Sequence, residues 1–368
     1  MLGAVITKLV AANLSQRPVR TLLSVLLIAI PVTLMLTLVG LSRGFVDDSS
    51  RRTRGVGADI IVRSPDSHIG TVGLSNMPVK LIGRLEELPH VAFGTGVASH
   101  LVSGWTVVSG IDLSAFERMS GPFVFREGHS FEKPDDILLD TYYAQQANVH
   151  AGRKINLLNR DWNVAGIVEP GKLAHIFLPL AILQELDGSS GRVAQIYLKV
   201  DNPANTNAVV DSIKALLPGY NVYAMEELVS LTSVDNVPFL RPLLNVIIGV
   251  AVLIGAAVAS LSMYMAVQQR TREIGILKSL GASKLLLLRI ILTEAFFLGL
   301  GGSILGVAFS FASRWLLVKL VPASLPQAIV PGWWPIAGAI AMGAAILGAL
   351  YPGMLAARQD PIQALAYE

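Results

Sequence analysis

Long apolar runs are the dominant feature of the hydropathy pattern. A helix needs about 20 apolar residues to cross a hydrocarbon core of about 30 Å, and four segments are that long: 21–40, 243–267, 290–313 and 333–351. Pro31 lies in the middle of the first segment, where it predicts a kink. Because about twenty residues precede this segment and no small-residue cleavage site follows it, it is predicted to be a membrane span and not a signal peptide.

The residues before the first span have an amphipathic pattern. Leu2, Val5, Ile6, Leu9 and Leu14 fall near one face of a helix over residues 1–16. Such a helix is typical of segments that lie flat in the membrane interface. We therefore expect an elbow helix on the cytoplasmic leaflet.

A long mixed region, residues 43–239, separates the first span from the second. Short runs rich in β-branched residues predict strands, and helical patterns that stop before a proline predict helices. From residue 137 to 168 the order is strand, short helix and two further strands around Asn159 and Arg160. The pattern indicates an α+β domain of two lobes, the second inserted into the first. The other predicted strands are 58–63 and 193–200, and the predicted helices are 79–88 and 205–217.

A charged insert, residues 270–283, separates the second and third spans. Its charged residues cannot lie in hydrocarbon, since each would cost about 2.5–3.5 kcal/mol at the bilayer centre. Apolar residues at helical spacing predict a short amphipathic helix that rests on another protein. Gly281 is a natural helix stop, and Ser283 can cap the next helix. An ordinary solvated loop helix is the alternative. The charged residues are Arg270, Arg272, Glu273 and Lys278, and the apolar ones are Ile274, Leu277 and Leu280.

Composition strengthens the membrane assignment. Only 15% of the residues are charged and the mean hydropathy is +0.57, whereas about 25% charged residues are usual in soluble proteins. The absence of cysteine excludes disulfides, cysteine-based metal centres and a thiol nucleophile. A net charge of +3 gives no reason to predict nucleic-acid binding.

The distribution of lysine and arginine predicts the orientation. Nine of these residues fall in short segments on one side of the spans, and only Arg314 and Lys319 lie in the short loop on the other side. Both termini are therefore predicted to be cytoplasmic and residues 43–239 extracytoplasmic. The nine are Lys8, Arg17, Arg20, Arg270, Arg272, Lys278, Lys284, Arg289 and Arg358.

Candidate chemistry is sparse. No catalytic residue and no metal site are predicted. The histidines lack metal-binding spacing, although histidines distant in sequence could still converge in the fold to hold a metal or haem. Asp135, Asp136 and Asp140 are candidate paired carboxylates for acid–base work, but the first two read as a solvated turn. No P-loop sequence is present to hold nucleotide phosphates. The histidines are His68, His90, His100, His129, His150 and His175.

Two further features lie in the third span. Glu294 is an ionisable group within the membrane, which is a functional hypothesis by default, although a structural hydrogen bond to a neighbouring helix is the simpler interpretation. Gly302 and Gly306 permit close helix approach, which leaves a dimer interface open.

Four passages resemble the MacB–FtsX-like family of ABC transporter permeases. The chain looks like the short members of DevC and LolC/LolE type, which lack the ATPase fused in MacB. The likeness extends over nearly the whole chain. The passages are Gly57–Val62, Asp136–Ile167, Arg272–Ser283 and Tyr351–Leu365.

The resemblance implies a fold of four transmembrane helices, one before and three after a large extracytoplasmic α+β domain of MacB periplasmic-core type. Residues 1–42 would hold the elbow and the first span, 43–239 the periplasmic domain, and 240–368 an FtsX-like permease domain with a cytoplasmic tail.

The resemblance also implies a function. A separate ABC ATPase would bind ATP and Mg²⁺, and this chain, which needs no cofactor and is not itself an enzyme, would transmit the ATPase's motion to its periplasmic domain. Cargo would be hydrophobic, lipid, lipoprotein or peptide, exported or extracted. The residues coupled to the ATPase would be Arg270, Arg272, Glu273, Ile274, Gly275, Leu277, Lys278 and Gly281.

Further implied partners are a second permease copy, in a homodimer by preference, and a periplasmic adaptor or outer-membrane factor. The expected location is the bacterial inner membrane. Two alternatives stay open: an FtsX-like scaffold that signals to a periplasmic hydrolase without transport, and a stand-alone sensor or structural membrane protein.

Overall fold

A computed structural model describes residues 2–16, 18–67, 76–102, 106–231, 240–320 and 326–358. The chain divides into two compact units. The first, called here the membrane domain, comprises residues 1–42, 239–317 and 327–368; the second, called the sheet domain, comprises residues 43–238 and 318–326. Arg17, His68 and the last part of the Tyr351–Leu365 passage lie outside the described residues.

In chain order, the described residues form twelve α-helices and twelve β-strands. They are α1 (Leu2–Gln16), α2 (Pro18–Arg54), β1 (Ile60–Arg63), β2 (Met77–Pro78), α3 (Lys80–Glu86), β3 (Val91–Leu101), β4 (Val107–Ile111), α4 (Leu113–Ser120), β5 (Phe125–Gly128), β6 (Asp136–Asp140), α5 (Thr141–Ala147), β7 (Lys154–Leu157), β8 (Arg160–Val168), β9 (Ile176–Pro179), α6 (Leu180–Leu186), β10 (Arg192–Val193), β11 (Gln195–Val200), α7 (Thr206–Leu216), β12 (Asn221–Ala224), α8 (Met225–Leu231), α9 (Leu240–Gln269), α10 (Thr271–Ser279), α11 (Lys284–Leu320) and α12 (Trp333–Arg358).

Four of these helices are long and apolar enough to cross a membrane, as the sequence predicts. They are α2, α9 from Asn245 onward, α11 as far as Leu317, and α12. The first is unbroken at Pro31 and has 37 residues. Because about 20 residues suffice to cross a bilayer, α2 is much longer than a span requires.

Small residues bring the helices of the membrane domain close together. A Cβ atom at Gly348 on α12 would lie 2.1 Å from the carbonyl oxygen of Ala256 on α9, so only glycine fits there. Gly302 and Gly306 on α11 contact Ile28 and Val32 of α2 in the same way. The spaced glycines therefore serve packing within the chain.

The sheet domain is built on a ten-stranded sheet of order β12-β1-β11-β3-β4-β9-β6-β8-β5, with β7 paired to β8. Most neighbours are antiparallel, whereas β4–β9 and β6–β8 are parallel. A separate two-stranded sheet pairs β2 with β10. Large buried side chains fill the core, among them Phe116, Trp162 and Phe177.

The segment from β4 to β9 is inserted in the chain between β3 and β11. The sequence interpretation predicted that an inserted segment of this region would form a second lobe. The two halves do not form separate lobes, however, because β3 pairs with β4 and one continuous sheet crosses the boundary.

The sequence predicts a turn at Asn159 and Arg160, and the structure places it one residue earlier, at Leu158 and Asn159. Leu158 and Asn159 both have positive φ, 54° and 57°, as a type I′ turn requires. This turn joins β7 to β8, whose backbones pair from Lys154–Asn163 to Leu157–Arg160.

Candidate coupling site and the buried charges behind it

The charged insert folds as a helix, α10, that ends where the sequence predicts. The amide of Ala282 donates to the carbonyl of Leu277 at 3.0 Å, and the amide of Gly281 donates to that of Lys278 at 3.0 Å. With Gly281 at φ 92°, these are the two bonds of a Schellman motif. The helix therefore stops in a defined geometry, which supports a fixed elbow.

The next helix, α11, begins at Lys284. Ser283 Oγ accepts a hydrogen bond from the amide of Leu286 at 3.2 Å, so it caps α11 as the sequence predicts. Only four residues, 280–283, separate α10 from α11. The position of α10 is tied closely to that of α11.

One side of α10 faces outward. Arg272 and Glu273 are exposed, and beside them lie Ile276, Leu277 and Leu280, which are 45%, 36% and 80% exposed. We call these five residues the coupling surface. An apolar patch flanked by a cation and an anion is suited to binding a protein.

The opposite side of α10 is buried in the membrane domain. Ile274 belongs to the same apolar core as Leu287 and Ile291, and Gly275 is buried. The sequence interpretation gave Ile274 an outward role; instead Ile276, which it did not name, is exposed. Lys278 is partly buried.

Arg270 and Glu294 form one buried cluster with Arg20, called here the glutamate cluster. Arg20 Nη2 lies 3.2 Å from Glu294 Oε1, and Arg270 Nη1 lies 3.5 Å from Glu294 Oε2. Arg270 Nη2 also donates to the carbonyl of Asn13 at 3.0 Å. Glu294 is 3% exposed and Arg270 8%.

The glutamate cluster connects four segments. Asn13 is on α1, Arg20 on α2, Glu294 on α11, and Arg270 immediately precedes α10. Removing one partner from such a cluster leaves uncompensated charge in the interior, which is strongly unfavourable. Ion pairs through Glu294 therefore hold the start of α10 to α11 and α2, and a hydrogen bond holds it to α1. Residues 280–283 fix its other end.

The candidate carboxylates of the sheet domain have structural partners. Asp136 is buried, which corrects the prediction of a solvated turn: it opens β6 and accepts bonds from the amides of Glu132 and Lys133 and from Asn163 Nδ2. Burial acts to raise the pKa of Asp136, but these hydrogen bonds outweigh it and leave the pKa below its usual range. Asp135 is exposed and pairs with Arg160.

Each of the described histidines is within 4 Å of a carboxylate. The described residues contain no group of three or more histidine, aspartate or glutamate side chains placed to hold a metal ion. The pairs are His90–Asp201, His100–Asp187, His129–Glu132, His150–Glu127 and His175–Asp140.

Two family models match the chain. The model for the MacB-like periplasmic core domain matches residues 21–216, and the model for the FtsX-like permease C-terminal domain matches residues 245–361. The second match includes the coupling surface and Glu294. Together they reproduce the predicted order of a large domain followed by a permease domain.

Two relatives match nearly the whole chain. An uncharacterized ABC transporter permease of Methanocaldococcus jannaschii is 24% identical over 97% of this chain and 96% of its own length. The macrolide export ATP-binding/permease protein MacB of Acinetobacter baylyi is 22% identical over 97% of this chain and 58% of its own length. The crystal structure of the periplasmic region of MacB from Actinobacillus actinomycetemcomitans is 14% identical, with a TM-score of 0.37, over 47% of this chain and 92% of that one.

Proposed function

Because this chain belongs to the MacB- and FtsX-like family of ABC transporter permeases, we propose that it transmits the motion of a separate ATPase subunit to its periplasmic domain. The transmitted motion would drive export or extraction of hydrophobic, lipid, lipoprotein or peptide cargo. The observation that carries this proposal is the exposed coupling surface on a helix whose two ends are fixed inside the membrane domain.

Docking of the ATPase would use both the apolar and the charged residues of the coupling surface. Leu277 and Leu280 offer apolar contact area, and Ile276 extends it. Arg272 and Glu273 would pair with charges on the ATPase and set the orientation of the complex. Arg270 and Ile274 would support α10 from behind without contacting the partner.

Transmission would run through the glutamate cluster. A displacement of α10 moves Arg270, and Glu294 links Arg270 to Arg20 of α2. The chain of α2 continues into the sheet domain without a break in the helix. A push on α10 is thereby conveyed to a helix that carries it toward β1.

The remaining parts of the proposal follow the family. We place the chain in a bacterial inner membrane as a multi-pass protein with both termini in the cytoplasm, beside a second permease copy and a periplasmic adaptor. ATP and Mg²⁺ are assigned to the partner ATPase. The signalling alternative is less well supported, because residues 21–216 match the MacB-like core domain.

The test is an affinity purification of the tagged chain from its native membrane in mild detergent, followed by mass spectrometry. We expect an ABC ATPase to co-purify with the wild type and to be lost from the Arg272→Ala/Glu273→Ala variant, since both charges of the coupling surface are removed. Arg126→Ala/Glu169→Ala is the matched control, because it removes an exposed ion pair from the sheet domain. Recovery of the chain alone from wild-type membranes would overturn the proposal, and so would equal ATPase recovery with the coupling variant.

A further inference from the structure

A second buried charge cluster lies in the sheet domain, around His175. This residue directly precedes β9, and Asp140 ends β6. The antiparallel register pairs Leu139 with Ile176, so Asp140 and His175 are neighbours across the strands. The amide of Asp140 donates to the carbonyl of His175 at 2.9 Å, and His175 Nδ1 lies 2.5 Å from Asp140 Oδ2.

The other nitrogen of His175 faces α2. Asp48, 2% exposed, places Oδ2 at 3.8 Å from His175 Nε2. Arg52 Nε lies 2.8 Å from the same Asp48 oxygen, and the more exposed Arg51 lies 3.6 Å from Asp48 Oδ1. We call Asp48, Arg52, Asp140 and His175 the histidine cluster.

Backbone contacts place the end of α2 against the segment that leads to His175. The amide of Leu173 donates to the carbonyl of Arg52 at 3.0 Å. A Cβ atom at Gly55 would lie 1.7 Å from the carbonyl oxygen of Gly171, so the two backbones touch. The histidine cluster therefore lies where residues 43–54 of α2 meet the sheet.

The contact between Asp48 and His175 depends on a proton. Nδ1 donates to Asp140, so a neutral imidazole must present the lone pair of Nε2 to the Asp48 carboxylate, which is repulsive. When the imidazole takes up a second proton, on Nε2, this nitrogen becomes a hydrogen-bond donor toward Asp48. Nε2 of His175 is buried without a hydrogen bond. Asp48 Oδ2 lies 2.8 Å from Arg52 Nε, and a carboxylate oxygen can accept from a second donor, so a small approach would join it to Nε2.

The charge balance of the histidine cluster also favours the doubly protonated form of His175. Asp48 and Asp140 bring two negative charges and Arg52 one positive charge, so a protonated His175 makes the buried group neutral. Loss of that proton leaves an uncompensated negative charge in the interior, which is costly. Arg51 is mostly exposed, so solvent screens its contribution.

The other neighbours do not change this balance. Asp48 and Asp140 are the carboxylates within 4.0 Å of the imidazole in the described part of the chain. Strand β4, which flanks β9, has no ionisable residue. Tyr143 follows Asp140 on α5, and burial raises its pKa, so it stays neutral.

We propose that His175 is a proton-dependent latch between α2 and the sheet. When both of its nitrogens are protonated, the imidazole bridges Asp48 and Asp140 and holds residues 43–54 of α2 against β6 and β9. Loss of the Nε2 proton releases Asp48, and α2 gains freedom on this side. The latch is closed at the lower pH and open at the higher pH, and it works without the partner ATPase.

The test measures the distance between α2 and the sheet in the full chain, in lipid nanodiscs. The sequence has no cysteine, so Arg43→Cys and Gln145→Cys, both at exposed positions, give one pair of spin labels. Electron–electron resonance is recorded over about pH 5 to 8, where histidines change charge. We expect one narrow distance distribution at the acidic end and its loss at the basic end.

Variants separate the latch from other titrating groups. Asp48→Asn should give the broad distribution at every pH, and His175→Gln should remove the pH dependence. Asp47→Asn is the matched control, because it removes an exposed carboxylate from the neighbouring position of α2 and should behave as the wild type.

The wild-type titration needs no substitution in the cluster, so it decides the question even where a cluster variant fails to fold. An unchanged wild-type distribution across the pH range overturns the latch. A pH response that persists in His175→Gln, or a narrow distribution in Asp48→Asn, overturns it equally.

Discussion

Each domain buries a cluster of charged side chains. Helix α2 contributes Arg20 to the glutamate cluster and both Asp48 and Arg52 to the histidine cluster, yet the two clusters are made of different ions. The glutamate cluster contains two guanidinium groups and a carboxylate. A guanidinium does not lose its proton in proteins, so its charge is permanent. In the histidine cluster one cation is an imidazole, whose charge is conditional. The difference indicates a permanent joint in the membrane domain and a switchable one in the sheet domain.

The surroundings of the two clusters differ as well. Alanine and glycine supply much of the buried surface of the membrane domain, for example Ala337, Ala341 and Ala349 on α12. The sheet domain instead buries large side chains such as Trp162 and Phe177. Lipid gives no hydrophobic force between helices, so close approach and charge must hold them, whereas apolar burial from water stabilises the sheet domain.

The largest effect is expected from Gly348→Leu, which tests whether close approach holds the membrane domain. A leucine Cβ at 2.1 Å from the carbonyl oxygen of Ala256 must force α9 and α12 apart, at a cost above the roughly 1–3 kcal/mol usual for overpacking. Gly343→Leu is the control on the same helix, since a Cβ atom there meets nothing within 4 Å. Size-exclusion chromatography in detergent should show loss of monodisperse protein for Gly348→Leu alone. A monodisperse Gly348→Leu variant would show that the membrane domain does not depend on the close approach of α9 and α12.

Glu294→Ala tests whether the permanent charges are needed. It leaves Arg20 and Arg270 facing each other without their shared anion, and a loss of about 3–5 kcal/mol is typical of breaking a buried charged group. A thermal-unfolding scan in detergent should show the corresponding fall in Tm. Exposed Glu273 provides the control, because Glu273→Ala should change stability by less than about 0.5 kcal/mol. Equal Tm values for the two variants would show that the glutamate cluster is dispensable for folding.

Asp136→Asn is expected to have the smallest effect. It extends the comparison to a buried carboxylate whose ionised form is stabilised mainly by hydrogen bonds. The folded state depresses the pKa of Asp136, so its contribution is present above the unfolded-state pKa and is lost as the pH falls through the folded-state value. Near neutral pH the substitution should cost about 1–3 kcal/mol. That deficit should shrink on acidification below about pH 4.

Denaturant unfolding of the sheet-domain transition at a series of pH values measures this difference. Asp135→Asn is the control at the adjacent position, where the carboxylate is exposed and paired only at the surface. A deficit that stays constant from neutral to acidic pH would contradict the role of the charge.

Much of the fold was accessible from local patterns. The four spans follow from length and hydropathy, and the stop at Gly281 and the cap at Ser283 follow from residue chemistry next to each helix end. The turn at Asn159 was predicted for the same reason, since the residues that determine it are adjacent.

The two charge clusters were not accessible in this way. Arg20 and Glu294 are 274 residues apart, and no local pattern indicates that they meet. The exposed face of α10 was only partly predicted. The spacing of Ile274 and Leu277 defines one apolar stripe, but it does not determine which side of this nine-residue helix packs against the membrane domain. Asp136 resembled a turn residue by its neighbours, but it is buried and accepts a hydrogen bond from Asn163, which is 27 residues away in the sequence.

The position of β1 in the sheet determines when the sheet domain can be completed during synthesis. Both partners of β1, namely β11 and β12, come from residues 195–224. The strand is therefore made more than a hundred residues before either neighbour, and until then both of its edges are open to pairing with other chains. The segment from β4 to β9 pairs largely within itself and can fold earlier. The sheet can therefore be completed only after residues 195–224 have been synthesised, and until then the open edges of β1 favour aggregation.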